Sequence, residues 1–186
     1  FEYVETADIN LNTYSYRIHE LLLRVCIEIE ANCVGILTEN SYKKSKDLKM
    51  EDYKKINHTH RLSSYEIKLP IWNGNTSLRQ PFKAWETGNG LGWYQDYNKT
   101  KHDRFTEFSR ARFDCLLDAV CGLVAILSAQ FGTENYATFD VIVTEGPGDG
   151  FENAIGDYFR VKFPNDWTDS EKYDFNWQAI KSEIDQ

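Results

Sequence analysis

No Cys-x-x-Cys pair occurs in this chain, and none of its four cysteines has a histidine at zinc-ligand spacing. Cys26 and Cys33 fall in one apolar stretch and Cys115 and Cys121 in another, so they read as reduced core thiols, which excludes a disulfide scaffold and a zinc ribbon. Also lacking is an uninterrupted apolar run of the roughly 20 residues that a bilayer demands. The most apolar stretch, around 113–131, carries Asp114 and Asp118. The first residues, Phe1-Glu2-Tyr3-Val4-Glu5, contain neither a methionine nor a basic start followed by an apolar run, hence the expectation of a cytoplasmic protein, free of membranes and truncated at its start. In that setting the Asn-x-Ser/Thr triplets at Asn57, Asn75 and Asn98 are chance matches. His58 and His60, two residues apart, do not share a helix face, so no metal is expected there.

Positive charge is scarce at one end only. Residues 1–132 hold 17 basic and 17 acidic side chains, whereas 133–186 hold 4 and 12 and carry the whole net charge of −8. A chain of 186 residues with 41% hydrophobic content is long enough for one domain with a sizeable core. The division predicts a helical domain over 1–132 and an acidic, aromatic extension over 133–186 packed on it. Within the neutral part, Lys43 to Arg61 has seven positive side chains against three negative, and Lys99 to Arg112 has five against two. Each cluster is either a solvated helix face or a place where a phosphate backbone docks.

Leu11, Tyr14, Ile18, Leu21, Leu22, Val25, Ile29, Cys33 and Ile36 recur at threes and fours, predicting a long amphipathic helix over about 11–38, with Arg24 and Glu28 as a supporting i,i+4 pair. From Phe113 to Phe131 the apolar positions nearly encircle a second long helix, capped by Gly132 and expected to run antiparallel to the first. So much apolar surface needs more than one neighbour, a second subunit among them. Between the two, Leu48 to Arg61 predicts a shorter helix. Tyr65 to Trp72, with Pro70, predicts an extended segment or edge strand, and 76–92 an ordered loop held by Phe82 and Trp85. Ala137 to Thr144 and Tyr158 to Phe163 read as extended pieces able to pair, with a short helix over Phe175 to Ile184. The fold class is therefore mainly α with a small β appendage.

The densest chemistry lies in Trp93 to Arg104, WYQDYNKTKHDR. On a helix Asn98 and His102 share a face, with Lys99 on an adjoining stripe about 60° from the imidazole, whereas Arg104 lies about 160° from it. The order Tyr97-Asn98-Lys99-Thr100-Lys101-His102 resembles the signature of HEPN domains, all-helical modules whose ribonuclease members carry Arg, a polar residue often Asn, three further residues and His. Tyr97 stands in the Arg place.

The resemblance implies an up-and-down helical bundle, a homodimer joined near the motif, and a metal-independent endoribonuclease of the toxin or antiphage-defence kind, working on RNA and paired with an antitoxin or defence partner. No cofactor is implied. His102, Asn98 and Lys99 are its catalytic candidates: the imidazole moves the proton, the amide orients, and the ammonium balances phosphate charge. Tyr97, Lys101, Arg104, Tyr94 and Trp93 are the binding candidates. A first-helix acid such as Glu28 or Glu30 would orient the motif across the core, and arginine restored at position 97 would accelerate cleavage. The alternative is a non-catalytic HEPN-like domain for dimerisation, interaction, or RNA or nucleotide binding, in which Asn98 and His102 serve the fold.

Overall fold

The computed structural model describes residues 4–40, 42, 48–133, 148–154, 158–168 and 170. Its elements in chain order are α1 (Tyr16–Glu39), α2 (Met50–Tyr53), α3 (Ile56–His60), β1 (Glu66–Lys68), β2 (Leu78–Arg79), α4 (Gly92–His102), α5 (Arg104–Glu107), α6 (Phe113–Phe131), β3 (Glu152–Ala154) and β4 (Phe159–Lys162), with short 3-10 turns between them. The protein is mainly helical, with one small antiparallel sheet among the described residues.

Helix α1 starts five residues later than its apolar periodicity suggests, because the Ser15 side chain accepts from the Ile18 amide at 3.2 Å and caps the helix there. Its inner face (Ile18, Leu22, Val25, Cys26, Ile29, Cys33, Ile36) is buried. The expected Arg24–Glu28 pair does not form. Arg24 pairs with Glu20 at 2.9 Å, and Glu28 accepts from Asn32 at 3.0 Å.

Helix α6 packs along α1, and the two are parallel, not antiparallel as expected. At their starts the Phe113 amide donates to the Thr13 carbonyl at 2.7 Å, and further along Gln130 donates to Asn32 at 3.0 Å. The reason lies in connectivity. Short loops make antiparallel neighbours, whereas here more than 70 residues separate the helices and bring the chain back to the end from which it set out. That intervening stretch supplies α4, which runs back along α1 and completes an up, down, up order, with Tyr94 beside Glu30 at one end. Gly132, at φ 68°, ends α6 as its sequence suggests. Although α6 has the length and apolarity of a membrane span, it is mostly buried inside the protein.

The sheet has the order β2-β1-β4-β3. β1 is thus an inner strand, not an edge, with Ile67 opposite Arg79 on one side and opposite Val161 on the other. Pro70 lies beyond the paired residues and so costs no ladder bond. β4 falls where an extended piece is expected, but its partners are β3 and β1; the piece at 137–144 and the helix at 175–184 lie outside the described residues. The helix expected over 48–61 divides into α2 and α3, the latter ended by Arg61 in the left-handed region at φ 51°.

A buried cation ties the sheet to α6. Arg79 donates to Asp114 at 2.6 Å and to Asp118 at 3.1 Å, and its guanidinium lies 5.8 Å from the Trp72 ring. These are the carboxylates that interrupt the apolar helix. Burial raises the Asp118 pKa and the Arg79 charge opposes the rise. Nearby, Asp8 accepts from the Trp72 indole at 2.7 Å and the Asn75 amide at 2.7 Å. Any Cβ at Gly74 would sit 2.3 Å from the Asp8 carboxyl carbon, so this turn demands glycine.

Candidate functional site

The helical reading of the motif holds over Gly92–His102. It ends at Asp103, whose carboxylate caps the next turn by accepting from the Thr106 amide at 3.1 Å. Arg104 therefore belongs to α5, and its position follows that break rather than a continuous 100° rotation.

One face of α4 is interior. Trp93 is buried and its indole N–H donates to the Pro81 carbonyl at 2.8 Å. Tyr94 donates to Glu30 Oε1 at 2.7 Å, so a first-helix acid does reach the motif helix across the core, through Tyr94 rather than through Asn98 or His102. Tyr97 is fully buried, its ring centroid 5.3 Å from that of Tyr94. Lys101, one turn on, donates to the Tyr97 hydroxyl at 3.0 Å.

These contacts set the titration of the cluster. Burial raises the pKa of Tyr94, and its bond to Glu30 adds to the rise. Tyr97 is also raised by burial, with the Lys101 bond pulling the other way, while that same bond raises Lys101. Tyr53 of α2, beside the same acid, is pushed up to about 12 by burial first and Glu30 second. The bond from Tyr94 to Glu30 ties α4 to α1, while the one from Lys101 to Tyr97 lies within α4 itself.

The opposite face is solvent-facing. Asn98 is half-buried, Lys99 and His102 are exposed, and among the described residues none shares a hydrogen bond or ion pair with their side chains. The helix therefore brings Asn98, Lys99 and His102 together and sends Trp93, Tyr94 and Tyr97 inward. A cation in the Arg place would point into the core, not toward His102. Arg104 is turned away to Tyr16, its guanidinium 5.1 Å from that ring, and Lys101 is engaged by Tyr97, leaving Lys99 as the cation next to the imidazole. Among the described residues no three His, Cys, Asp or Glu side chains stand together as a metal site.

Beside the end of α4 lies an aromatic group that sequence periodicity does not reveal. Phe108 meets Tyr16 at 4.9 Å, Tyr14 at 5.8 Å and His19 at 5.6 Å. His19 is buried beneath it, its pKa lowered by burial and, less strongly, by the Arg104 charge. The available signal is Ser15: a helix cap between two tyrosines puts Tyr14 outside the helix and Tyr16 at its first, exposed position. The Arg79 cluster had a signal too, since two aspartates one turn apart on an apolar helix require a buried cation.

Comparison with protein-family models, curated proteins and solved structures returns no match to this chain.

Proposed function

We propose that the protein acts on RNA at the outward face of α4, as a HEPN-like, metal-independent endoribonuclease of the toxin or antiphage-defence kind that works as a homodimer. The observation that carries this reading is Asn98 and His102, one turn apart on a solvent-facing surface with no intramolecular partner among the described residues. A fold-serving Asn and His would be bonded inside. The up, down, up order of α1, α4 and α6 supports a HEPN-like bundle.

In the proposed reaction one His102 takes the proton of a ribose 2′-OH, and that oxygen attacks the adjacent phosphorus. The bond to O5′ breaks, and the His102 of the partner subunit gives the leaving oxygen its proton. The products are a 2′,3′-cyclic phosphate and a 5′-hydroxyl. Two imidazoles are needed because one must begin neutral and the other protonated. Lys99 faces the phosphate and Asn98 orients substrate or ring. With no arginine on this face the rate is slow, since one fixed charge-stabilising group at a transition state is worth about 10²–10³-fold.

RNA incubated with the protein in EDTA is expected to yield cyclic phosphate ends. His102→Ala abolishes the cleavage and Asn98→Ala weakens it less. Intact RNA after incubation with folded wild-type protein overturns the nuclease reading. A second reading, RNA binding without cleavage, is favoured by one specific observation: two of the three cations nearest His102 are committed elsewhere, Lys101 to Tyr97 and Arg104 to Tyr16.

A further inference from the structure

The strongest unexplained surface lies at the start of α1 and around α5. Phe105 is 97% exposed, Tyr16 69% and Tyr14 51%, and Phe108 stands between the two tyrosines. A single exposed apolar side chain needs no account, but several aromatics grouped on one face do. Phe105 gains the fold little, because it sits on a four-residue helix and is almost wholly in water.

We propose that Tyr14, Tyr16, Phe105 and Phe108, with Arg104 on the Tyr16 ring, form a stacking platform for unpaired bases of single-stranded RNA. Four observations support it. The rings come with cations: Lys99 and Arg104 are exposed and in no ion pair among the described residues, whereas Arg110 and Arg112 are held by Glu107 and Asp96. Their backbone is fixed in advance, since the Phe113 amide donates to Thr13 at 2.7 Å, the Asp114 amide donates to Leu11 at 3.0 Å, and Asp103 caps α5. Arg104 at 5.1 Å from Tyr16 makes a cation–ring pair that a base can extend. The platform also borders the end of α4, so a strand lying on it passes His102.

Charge argues against a second copy of the chain as the occupant. A two-fold contact through this face would bring Arg104 and its neighbours against their own copies, whereas a polyanion neutralises them. The inference rests on the RNA reading of the α4 face but does not require His102 to cleave.

The test is fluorescence anisotropy with a labelled single-stranded RNA 12-mer of mixed sequence and the same strand in duplex form, in EDTA, using the His102→Ala background so that the probe stays intact. Phe105→Ala and Tyr16→Ala are each expected to weaken single-strand binding about tenfold, and the duplex is expected to bind more weakly than the single strand, because its bases have no free faces. Phe105→Ala leaves the fold untouched, so its result stands even if Tyr16→Ala lowers stability. If the single strand binds and neither substitution weakens it, the platform is overturned while the RNA reading survives. Equal binding of duplex and single strand overturns stacking. Substitutions that turn a dimer into a monomer by light scattering make the face a contact between copies and overturn the proposal. No binding of the His102→Ala protein to either probe at low salt overturns both readings.

Discussion

The two faces of α4 are made from the same eleven residues and behave as different materials. Inward, Tyr94, Tyr97 and Lys101 are bonded to one another or to Glu30, and Trp93 to Pro81. Outward, Asn98, Lys99 and His102 touch no polar partner among the described residues. Position 97, the Arg place in the HEPN pattern, falls on the bonded side. The difference shows that chemistry dense in sequence divides in space, and that the divided halves must be tested by different measurements: stability for the inner face, RNA for the outer.

The sharpest way to break this comparison is Tyr97→Arg. If position 97 faced a cleft, arginine there would be harmless and would accelerate cleavage. Because Tyr97 is fully buried, with the exposed Lys101 at its hydroxyl, the substitution instead puts a guanidinium among buried aromatics next to an existing ammonium. A loss above about 3 kcal/mol is expected, comparable to or beyond that of removing a buried aromatic side chain. Urea denaturation reads it directly. A stable, faster-cleaving Tyr97→Arg protein would dismantle the inward assignment.

Histidines carry the same contrast between inside and outside. His60, almost wholly buried near Trp167, has its pKa pushed down to about 4 by burial, with a bond to the Ile56 backbone opposing the fall. The unfolded chain binds a proton at His60 below about pH 6.5 while the folded protein does not. Stability is therefore unaffected at neutral pH, falls as pH drops through 6.5, and stops falling for this reason near the folded pKa. The full effect is at most about 3 kcal/mol, at 1.36 kcal/mol per unit. His19, also lowered, adds in the same direction. Denaturation midpoints compared at pH 7 and pH 4.5 should show that His60→Gln reduces the acid loss. Equal acid sensitivity in wild type and His60→Gln removes the assignment.

How much of this was legible in the sequence depends on what each residue answers to. The two long helices follow from threes-and-fours spacing, and Gly132 from its cap. The start of α1 did not, since Leu11 and Tyr14 continue the apolar period while their backbone serves α6 through the Thr13 and Leu11 carbonyls. β1 reads as an edge because of Pro70, yet its second partner, β4, is some ninety residues away and invisible to any local pattern. In the candidate site the helix and the shared face of Asn98 and His102 are legible, and the structure turns Trp93, Tyr94 and Tyr97 inward. Trp93, Tyr94 and Tyr97, spaced one and four apart, already mark the buried stripe.

A smaller effect tests the inner network alone. Tyr94→Phe removes the donor to Glu30 and leaves the ring stack in place, so a loss of about 2 kcal/mol is expected, the usual range for a hydrogen bond to a charged group. Glu30→Gln keeps an acceptor and should cost less. If both are neutral in urea denaturation, Glu30 does not anchor α4 and its bond to Tyr94 is incidental.

The smallest expected effect on stability belongs to the outer face, and there smallness is the point. His102→Ala and Asn98→Ala remove side chains that have no bonded partner among the described residues. Each should change stability by no more than about 0.5 kcal/mol, as ordinary surface substitutions do. The double variant should equal the sum of the singles, because residues that do not interact show no coupling. The inner pair behaves otherwise. Tyr97→Phe and Lys101→Met share one bond, so their effects should fall short of additivity, the second change having no bond left to remove. Measured side by side, the two cycles separate a face that holds the protein together from one that does not. A stability-neutral His102→Ala that abolishes RNA cleavage assigns the outer face to function. One that costs 2 kcal/mol assigns His102 to the fold, and the contrast between the faces is lost.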